Sequence, residues 1–129
     1  IGIEINKKSY ETAKKKCRNI QNLKIYNADA LNYMFEKNHT IFYLYEPFFD
    51  IDYNKAIYMH NMLLKNINKI NSNHKYDIYI IYVTGVLIFG RQDISREMLN
   101  KHNFDIIKEE TIGSLLIKRK LYIAKYKIK

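Results

Sequence analysis

The spacing of apolar residues changes repeatedly along this chain, and each change marks a predicted element. Short β-rich runs at 1–5, 23–26, 40–45 and 77–84 predict strands. The runs at 40–45 and 77–84 are apolar without alternation, which is typical of strands covered on both faces. After each run, apolar residues recur three and four positions apart, which predicts a helix.

These helices are predicted at 7–21, from about 30 to 35, at 52–71 and at 92–101, with Asp52 as a candidate N-cap. The apolar positions of the longer ones share one face each. Their predicted inward residues are Tyr10, Ala13, Cys17 and Ile20, then Ala56, His60, Leu63, Ile67 and Ile70, and finally Ile94, Met98 and Leu99.

Two further strands, 104–108 and 115–125, follow with a turn at Gly113 and no helix between them. The alternation of strands and helices predicts right-handed crossovers and a mostly parallel sheet with helices on both faces. The last two strands should pair antiparallel. We therefore predict one α/β domain over residues 1–129, a three-layer sandwich that ends in an antiparallel strand pair.

The net charge is +9, from 22 Lys and Arg against 13 Asp and Glu, which can indicate an anionic partner such as nucleic acid. The lysines are scattered, and Ile, Asn, Lys and Tyr are abundant throughout, so a general compositional bias explains the charge better. The single cysteine, Cys17, excludes an internal disulfide, and a cytoplasmic location is expected. No apolar run reaches the roughly 18 residues of a membrane helix.

Candidate chemistry lies just after the strands, because open α/β sheets bind ligands beyond the carboxyl ends of their strands. Glu4 can accept hydrogen bonds from the two hydroxyls of a ribose. Asp29 can accept a hydrogen bond from an exocyclic amine such as adenine N6, and the Ala30 N–H can reach a ring nitrogen. The alternatives are a solvated strand-end glutamate and an aspartate that caps the next helix.

A third segment, Glu46, Pro47 and Phe48, follows the run at 40–45 and offers an acceptor, a stiff backbone and an aromatic face. It can orient a substrate there, or it can be a turn with a core Phe. The histidines have no metal-ligand spacing, so no metal site is predicted. His60, on an apolar stripe, is expected to be a hydrogen-bonded core residue.

Three segments resemble, in order and spacing, motifs II, III and IV of class I S-adenosylmethionine-dependent methyltransferases. They are residues 2–5 (Gly-Ile-Glu-Ile), 27–30 (Asn-Ala-Asp-Ala) and 43–48 (Tyr-Leu-Tyr-Glu-Pro-Phe). The resemblance implies a Rossmann-like fold and S-adenosylmethionine as cofactor. It also implies that Glu4 binds the ribose, Ile5 packs on the adenine and Asp29 binds the adenine amine. The segment at Glu46 would face the transferable methyl group.

Two departures from the family pattern matter. Only three residues precede Glu4, so the glycine-rich loop on the family's first strand has no counterpart. We therefore expect an N-terminally truncated domain with two unpaired inner sheet edges, which by itself binds the cofactor weakly or not at all and is inactive. Glu46 stands where many relatives carry Asn or Asp, so the family does not imply the methyl acceptor.

The predicted function is methyl transfer from S-adenosylmethionine to an unidentified acceptor, with Glu46 orienting it. One alternative is a nicotinamide-dependent oxidoreductase, which would use Glu4 equally well. The other is a non-catalytic basic binding module, whose affinity for nucleic acid would fall steeply with salt.

Overall fold

The structure is a computed structural model that describes residues 1–36, 40–45, 52–70, 77–86, 94–113 and 118–127. The chain divides into two compact units, Ile1–Met34 and Phe35–Lys129, called unit 1 and unit 2 below. No helix in the described ranges is both long and apolar enough to cross a membrane.

Unit 1 is a strand–helix–strand unit. Its elements are β1 (Gly2–Glu4), α1 (Lys7–Lys16) and β2 (Ile25–Asn27). The two strands are parallel, with Glu4 beside Asn27. The side chain of Asn6 accepts a hydrogen bond from the Ser9 N–H at 3.0 Å, which starts α1 with an N-cap. Asn22 adopts a left-handed φ of 66° between α1 and β2, so the chain reverses there.

The side chains of unit 1 are at most half-buried. The predicted inward residues Tyr10, Ala13 and Cys17 are half-buried, and no residue of 1–34 is fully buried. Ile20 is 57% exposed because α1 ends at Lys16, before the predicted boundary. The short helix predicted from residue 30 to 35 is wrong: residues 30–32 form a turn.

Unit 2 contains a four-stranded mixed sheet. Its elements are β3 (Ile41–Tyr45), α2 (Tyr53–Asn68), β4 (Tyr79–Val86), α3 (Ser95–Lys101), β5 (Phe104–Gly113) and β6 (Lys118–Tyr126). The strand order is β3-β4-β6-β5, with β3 parallel to β4, and β6 antiparallel to both β4 and β5. The predicted antiparallel pair is confirmed. A mostly parallel sheet is wrong, because two of the described pairings are parallel and two are antiparallel.

One face of this sheet holds the core of unit 2. Asp52 caps α2 as predicted, since its Oδ1 accepts hydrogen bonds from the Asn54 N–H at 2.9 Å and the Lys55 N–H at 3.2 Å. The buried core residues include Phe42, Ile80, Tyr82, Tyr122, Ala124 and Phe104 on the strands, Ala56, His60, Leu63, Leu64 and Ile67 on α2, and Ile94, Met98 and Leu99 at α3. The predicted stripes of α2 and α3 are thus confirmed, except that Ile70 is only half-buried.

The opposite face of β3 is open within unit 2. Ile41, Tyr43 and Tyr45 are 64%, 62% and 52% exposed, whereas Phe42 between them is buried. The prediction that both faces of this strand are covered is therefore wrong for the described residues. His60 on α2 contacts Tyr82 and α3 packs against α2, so both helices cover the same face. The described part of unit 2 is two layers, and a three-layer sandwich is not seen.

Each unit forms its own sheet, and β1 and β3 each have one strand partner among the described residues. The edge of β3 carries no charged residue and no bulge. The other edge strand of the sheet, β5, carries Lys108, Glu109 and Glu110, with an irregularity between Ile106 and Lys108. Charges and bulges of this kind protect a free edge from pairing.

Candidate functional site

The carboxyl ends of β1 and β2 bring the predicted cofactor residues into one region of unit 1. Glu4 closes β1 and pairs in register with Asn27, which closes β2. Since the two strands are parallel, both end at the same edge of their sheet. Asp29 and Ala30 follow β2 by two and three residues. The structure therefore places Glu4 at the end of β1 and Ile5 directly after it, with Asp29 and Ala30 shortly after β2.

Asn27 joins the two strand ends. Its Nδ2 donates to the Glu4 carbonyl at 2.8 Å and to the Ile5 carbonyl at 3.1 Å, and the Ala28 N–H donates to the Glu4 carbonyl at 3.2 Å. This fixes the backbone on either side of the Glu4 side chain. Sequence reasoning missed this role, because it depends on the register that sets Asn27 beside Glu4.

The Glu4 side chain is half-buried, and one of its two carboxylate oxygens accepts a hydrogen bond. Its Oε1 accepts a hydrogen bond from the Asn6 N–H at 2.8 Å, so the side chain is held against the turn into α1. Oε2 has no hydrogen-bond partner within the described ranges. An ionised carboxylate offers about four lone-pair sites. Glu4 can therefore accept further hydrogen bonds from a ligand while its position is fixed.

Asp29 is fixed by its own turn. Its Oδ1 accepts from the Leu31 N–H at 2.9 Å and its Oδ2 accepts from Asn32 Nδ2 at 2.8 Å, while the Asn32 N–H donates to the Asp29 carbonyl at 3.1 Å. The capping role considered as the alternative is thus present, although it caps a turn and not a helix. Each carboxylate oxygen keeps a second lone pair for a ligand. Capping and ligand binding are therefore compatible at Asp29.

Ile5 provides apolar surface beside these carboxylates. It directly follows Glu4 and is 69% exposed, so its side chain is accessible to a ligand. The edge thus combines acceptors suited to hydroxyls, an acceptor suited to an amine, and a surface on which a planar ring can pack. These are the groups that a nucleoside needs, so the residues present fit the adenosine half of S-adenosylmethionine.

The predicted acceptor-side residues Glu46, Pro47 and Phe48 lie outside the described residues. β3 ends at Tyr45, immediately before them. In the part of the chain that the structure describes, no group of three or more His, Cys, Asp or Glu side chains could hold a metal ion.

The buried His60 of unit 2 is a structural residue, as predicted. Its Nδ1 is 2.7 Å from the Ala56 carbonyl, and its Nε2 lies against the Tyr82 hydroxyl. A carbonyl can only accept, so Nδ1 carries the proton and Nε2 accepts from Tyr82.

The partly exposed His102 has a more polar setting, with Nε2 at 2.9 Å from Asn61 Oδ1. Burial, and secondly the charge of Lys101, lower the pKa of His102 below its usual value of 6.5.

No protein-family model and no curated protein matches this sequence. Among solved structures, the chain is similar to magnesium protoporphyrin IX methyltransferase (ChlM) from Synechocystis PCC 6803, determined with bound S-adenosylmethionine. The TM-score is 0.69 at 11% sequence identity. The fold of this chain resembles that of a methyltransferase. The match covers 98% of this chain and 58% of the neighbour, and at this identity the likeness concerns the fold alone.

Proposed function

We propose that this chain acts in methyl transfer from S-adenosylmethionine to an acceptor that is still to be identified. One observation supports this most directly. On a methyltransferase-like fold, Glu4 and Asp29 follow adjacent parallel strands, each carboxylate is held by a backbone N–H, and each keeps acceptor capacity. The fold proposed for the whole domain remains the Rossmann-like three-layer sandwich.

Each residue of the edge has a proposed role toward the cofactor. Glu4 would accept hydrogen bonds from the ribose hydroxyls, and Asp29 would accept one from the adenine amine. The Ala30 N–H would approach a ring nitrogen, and Ile5 would pack against the adenine. Hydrogen bonds to a charged acceptor contribute roughly 1.5–3 kcal/mol each, so loss of either carboxylate should be measurable.

The cofactor, when bound, supplies an activated methyl group, and the protein's main task is to hold the acceptor in line with it. Glu46, Pro47 and Phe48 are proposed to do this, because they directly follow β3. Glu46 would accept a hydrogen bond from the acceptor, Pro47 would stiffen the segment, and Phe48 would pack against the acceptor.

The test is a titration of the intact chain with S-adenosylhomocysteine, followed by amide chemical shifts so that weak binding is detected. Glu4→Gln keeps the size of the side chain and removes its charge. We expect it to weaken binding by about tenfold, because roughly 1.4 kcal/mol corresponds to a factor of ten. Glu11→Gln is the matched control: Glu11 is an exposed glutamate on α1 of the same unit, and its variant should bind like the wild type.

A second variant separates the two roles of Asp29. Asp29→Asn keeps an oxygen that can accept from the Leu31 N–H, so the turn is retained, but it can present an NH₂ group where the adenine amine needs an acceptor. It should therefore weaken S-adenosylhomocysteine without unfolding unit 1. Equal affinity of the Glu4→Gln and Glu11→Gln variants for S-adenosylhomocysteine would argue against the proposed role of Glu4. Tighter binding of NADH than of S-adenosylhomocysteine would argue against methyl transfer and for the oxidoreductase alternative.

A further inference from the structure

Unit 1 has an uncompensated positive surface. Its cationic residues are Lys7, Lys8, Lys14, Lys15, Lys16, Arg18 and Lys24. All of them are exposed, and none forms an ion pair within the described ranges. The acidic residues of the unit do not balance them, because only Glu4, Glu11 and Asp29 stand against these seven cations. Most of this charge lies on α1 and just beyond its end.

Several cations of unit 2 are paired with carboxylates. Lys120 lies 2.7 Å from Glu109, which also pairs with Arg96, and Lys125 lies 2.9 Å from Asp77. Lys108 and Lys127 are paired in the same way. Lysines unpaired among the described residues also occur on and directly after α2, at Lys55, Lys65 and Lys69, but they are more widely spaced along the chain than the six cations of residues 7–18.

The positions of these lysines on α1 suit an extended chain of negative charges. Lys8 and Lys15 are seven residues apart, so they lie on the same side of the helix and about 10 Å apart along its axis. Lys8 and Lys16 border a shallow depression, which is also lined by Ser9, Thr12 and Ala13. Cations and hydroxyl groups together are the usual contacts to phosphate oxygens of nucleic acids.

We infer that the outward surface of α1 binds the phosphate backbone of a nucleic acid without reading its sequence. An anionic membrane fits less well, because the apolar residues Tyr10, Ala13 and Cys17 are the half-buried side of the helix. The exposed side carries Lys, Glu, Ser and Thr, with no large apolar residue to insert between lipids. This inference does not depend on methyl transfer, so either proposal can fail while the other stands.

The test measures binding of the intact chain to a fluorescent single-stranded oligonucleotide by anisotropy, at several salt concentrations. The test variant is the triple change Lys8→Gln, Lys15→Gln and Lys16→Gln. The matched control is Lys55→Gln, Lys65→Gln and Lys69→Gln, on and directly after α2. These control lysines are also exposed, and they form no ion pair with another described residue, so both variants lose the same charge from a helix.

The expected results follow from counterion release. Three lost contacts to a single strand lower the slope of log affinity against log salt by about 2. Between 50 and 200 mM salt, the wild type should therefore lose affinity by about 20-fold more than the α1 variant. The control should keep the wild-type slope, and replacing the same three α1 lysines by Arg should preserve binding.

Three outcomes would overturn the inference. Equal losses for the α1 variant and its control would mean that net charge alone governs binding. No measurable binding at low salt would exclude the surface altogether. Binding to vesicles that contain an anionic lipid, with no binding to the oligonucleotide, would assign the surface to a membrane.

Discussion

Tyr82→Phe is the most informative stability variant, because it removes one hydroxyl from the core of unit 2. Tyr82 and His60 are 2% and 4% exposed, and their rings stack at a centroid distance of 5.7 Å. The Ala56 carbonyl fixes the proton of His60 on Nδ1, so Nε2 accepts a hydrogen bond from the Tyr82 hydroxyl. Phe keeps the ring and removes that donor.

The expected cost is the penalty for a buried acceptor that loses its hydrogen bond, about 1–3 kcal/mol. His60→Phe should have a similar cost, since it removes the acceptor of the Tyr82 hydroxyl. Replacing both partners by apolar rings removes the donor and the acceptor of this hydrogen bond together. The double variant should therefore be more stable than the sum of the two single changes predicts, with a coupling free energy of about 1–3 kcal/mol.

Urea denaturation of the wild type, the two single variants and the double variant measures this coupling. With an m-value of about 1–3 kcal/mol per M, a cost of about 2 kcal/mol lowers the midpoint by about 1 M. Tyr58→Phe is the control, because Tyr58 lies on α2 but is 63% exposed. Additive single effects, or a Tyr82→Phe variant as stable as the Tyr58→Phe control, would refute this account of the core.

Two further predictions concern unfolding. Gly113 has a φ of 113°, so Gly113→Ala should lower the free energy of unfolding by about 1 kcal/mol or more. Gly2→Ala should be tolerated, because a Cβ there would lie at an ordinary contact distance, 3.5 Å, from Ile25 Cγ1. Equal urea midpoints for the two variants would contradict this. Because the folded state holds the pKa of His102 below 6.5, the unfolded chain binds more protons there, and stability should fall as pH decreases from 6.5 toward the folded value. His102→Gln should flatten that part of the curve of urea midpoint against pH, and an unchanged curve would contradict the assignment.

The helices of unit 2 could be predicted well from sequence. The apolar period from Ala56 to Ile67 marks the buried stripe of α2, and Asp52 is a capping residue immediately before it. The open face of β3 could not be predicted, because an apolar run indicates a tendency to be buried without indicating what covers it. β4 also continues through Gly85 to Val86, since its pairing with β6 compensates for the weak strand propensity of glycine.

The strand-end positions of the candidate residues could be predicted from the sequence, but their hydrogen bonds could not. Glu4 and Asp29 could be found from their positions after strands, because parallel strands end at one edge of a sheet. The hydrogen bonds from Asn27 depend on strand register. The turn at Asp29 forms because the Asp29 carboxylate accepts a hydrogen bond from the Leu31 N–H, which favours a turn over the predicted helix. The unpaired state of the α1 lysines depends on where the acidic side chains lie, so it too required the structure.

Mapping S-adenosylhomocysteine on the intact chain by amide chemical shifts tests the central claim most directly. The account predicts that the largest changes occur after β1 and β2, at Glu4, Ile5, Asp29 and Ala30, and that adenosine alone reproduces them because these residues face the nucleoside. Saturating ligand that leaves these amides unchanged, or shifts confined to other parts of the chain, would contradict it.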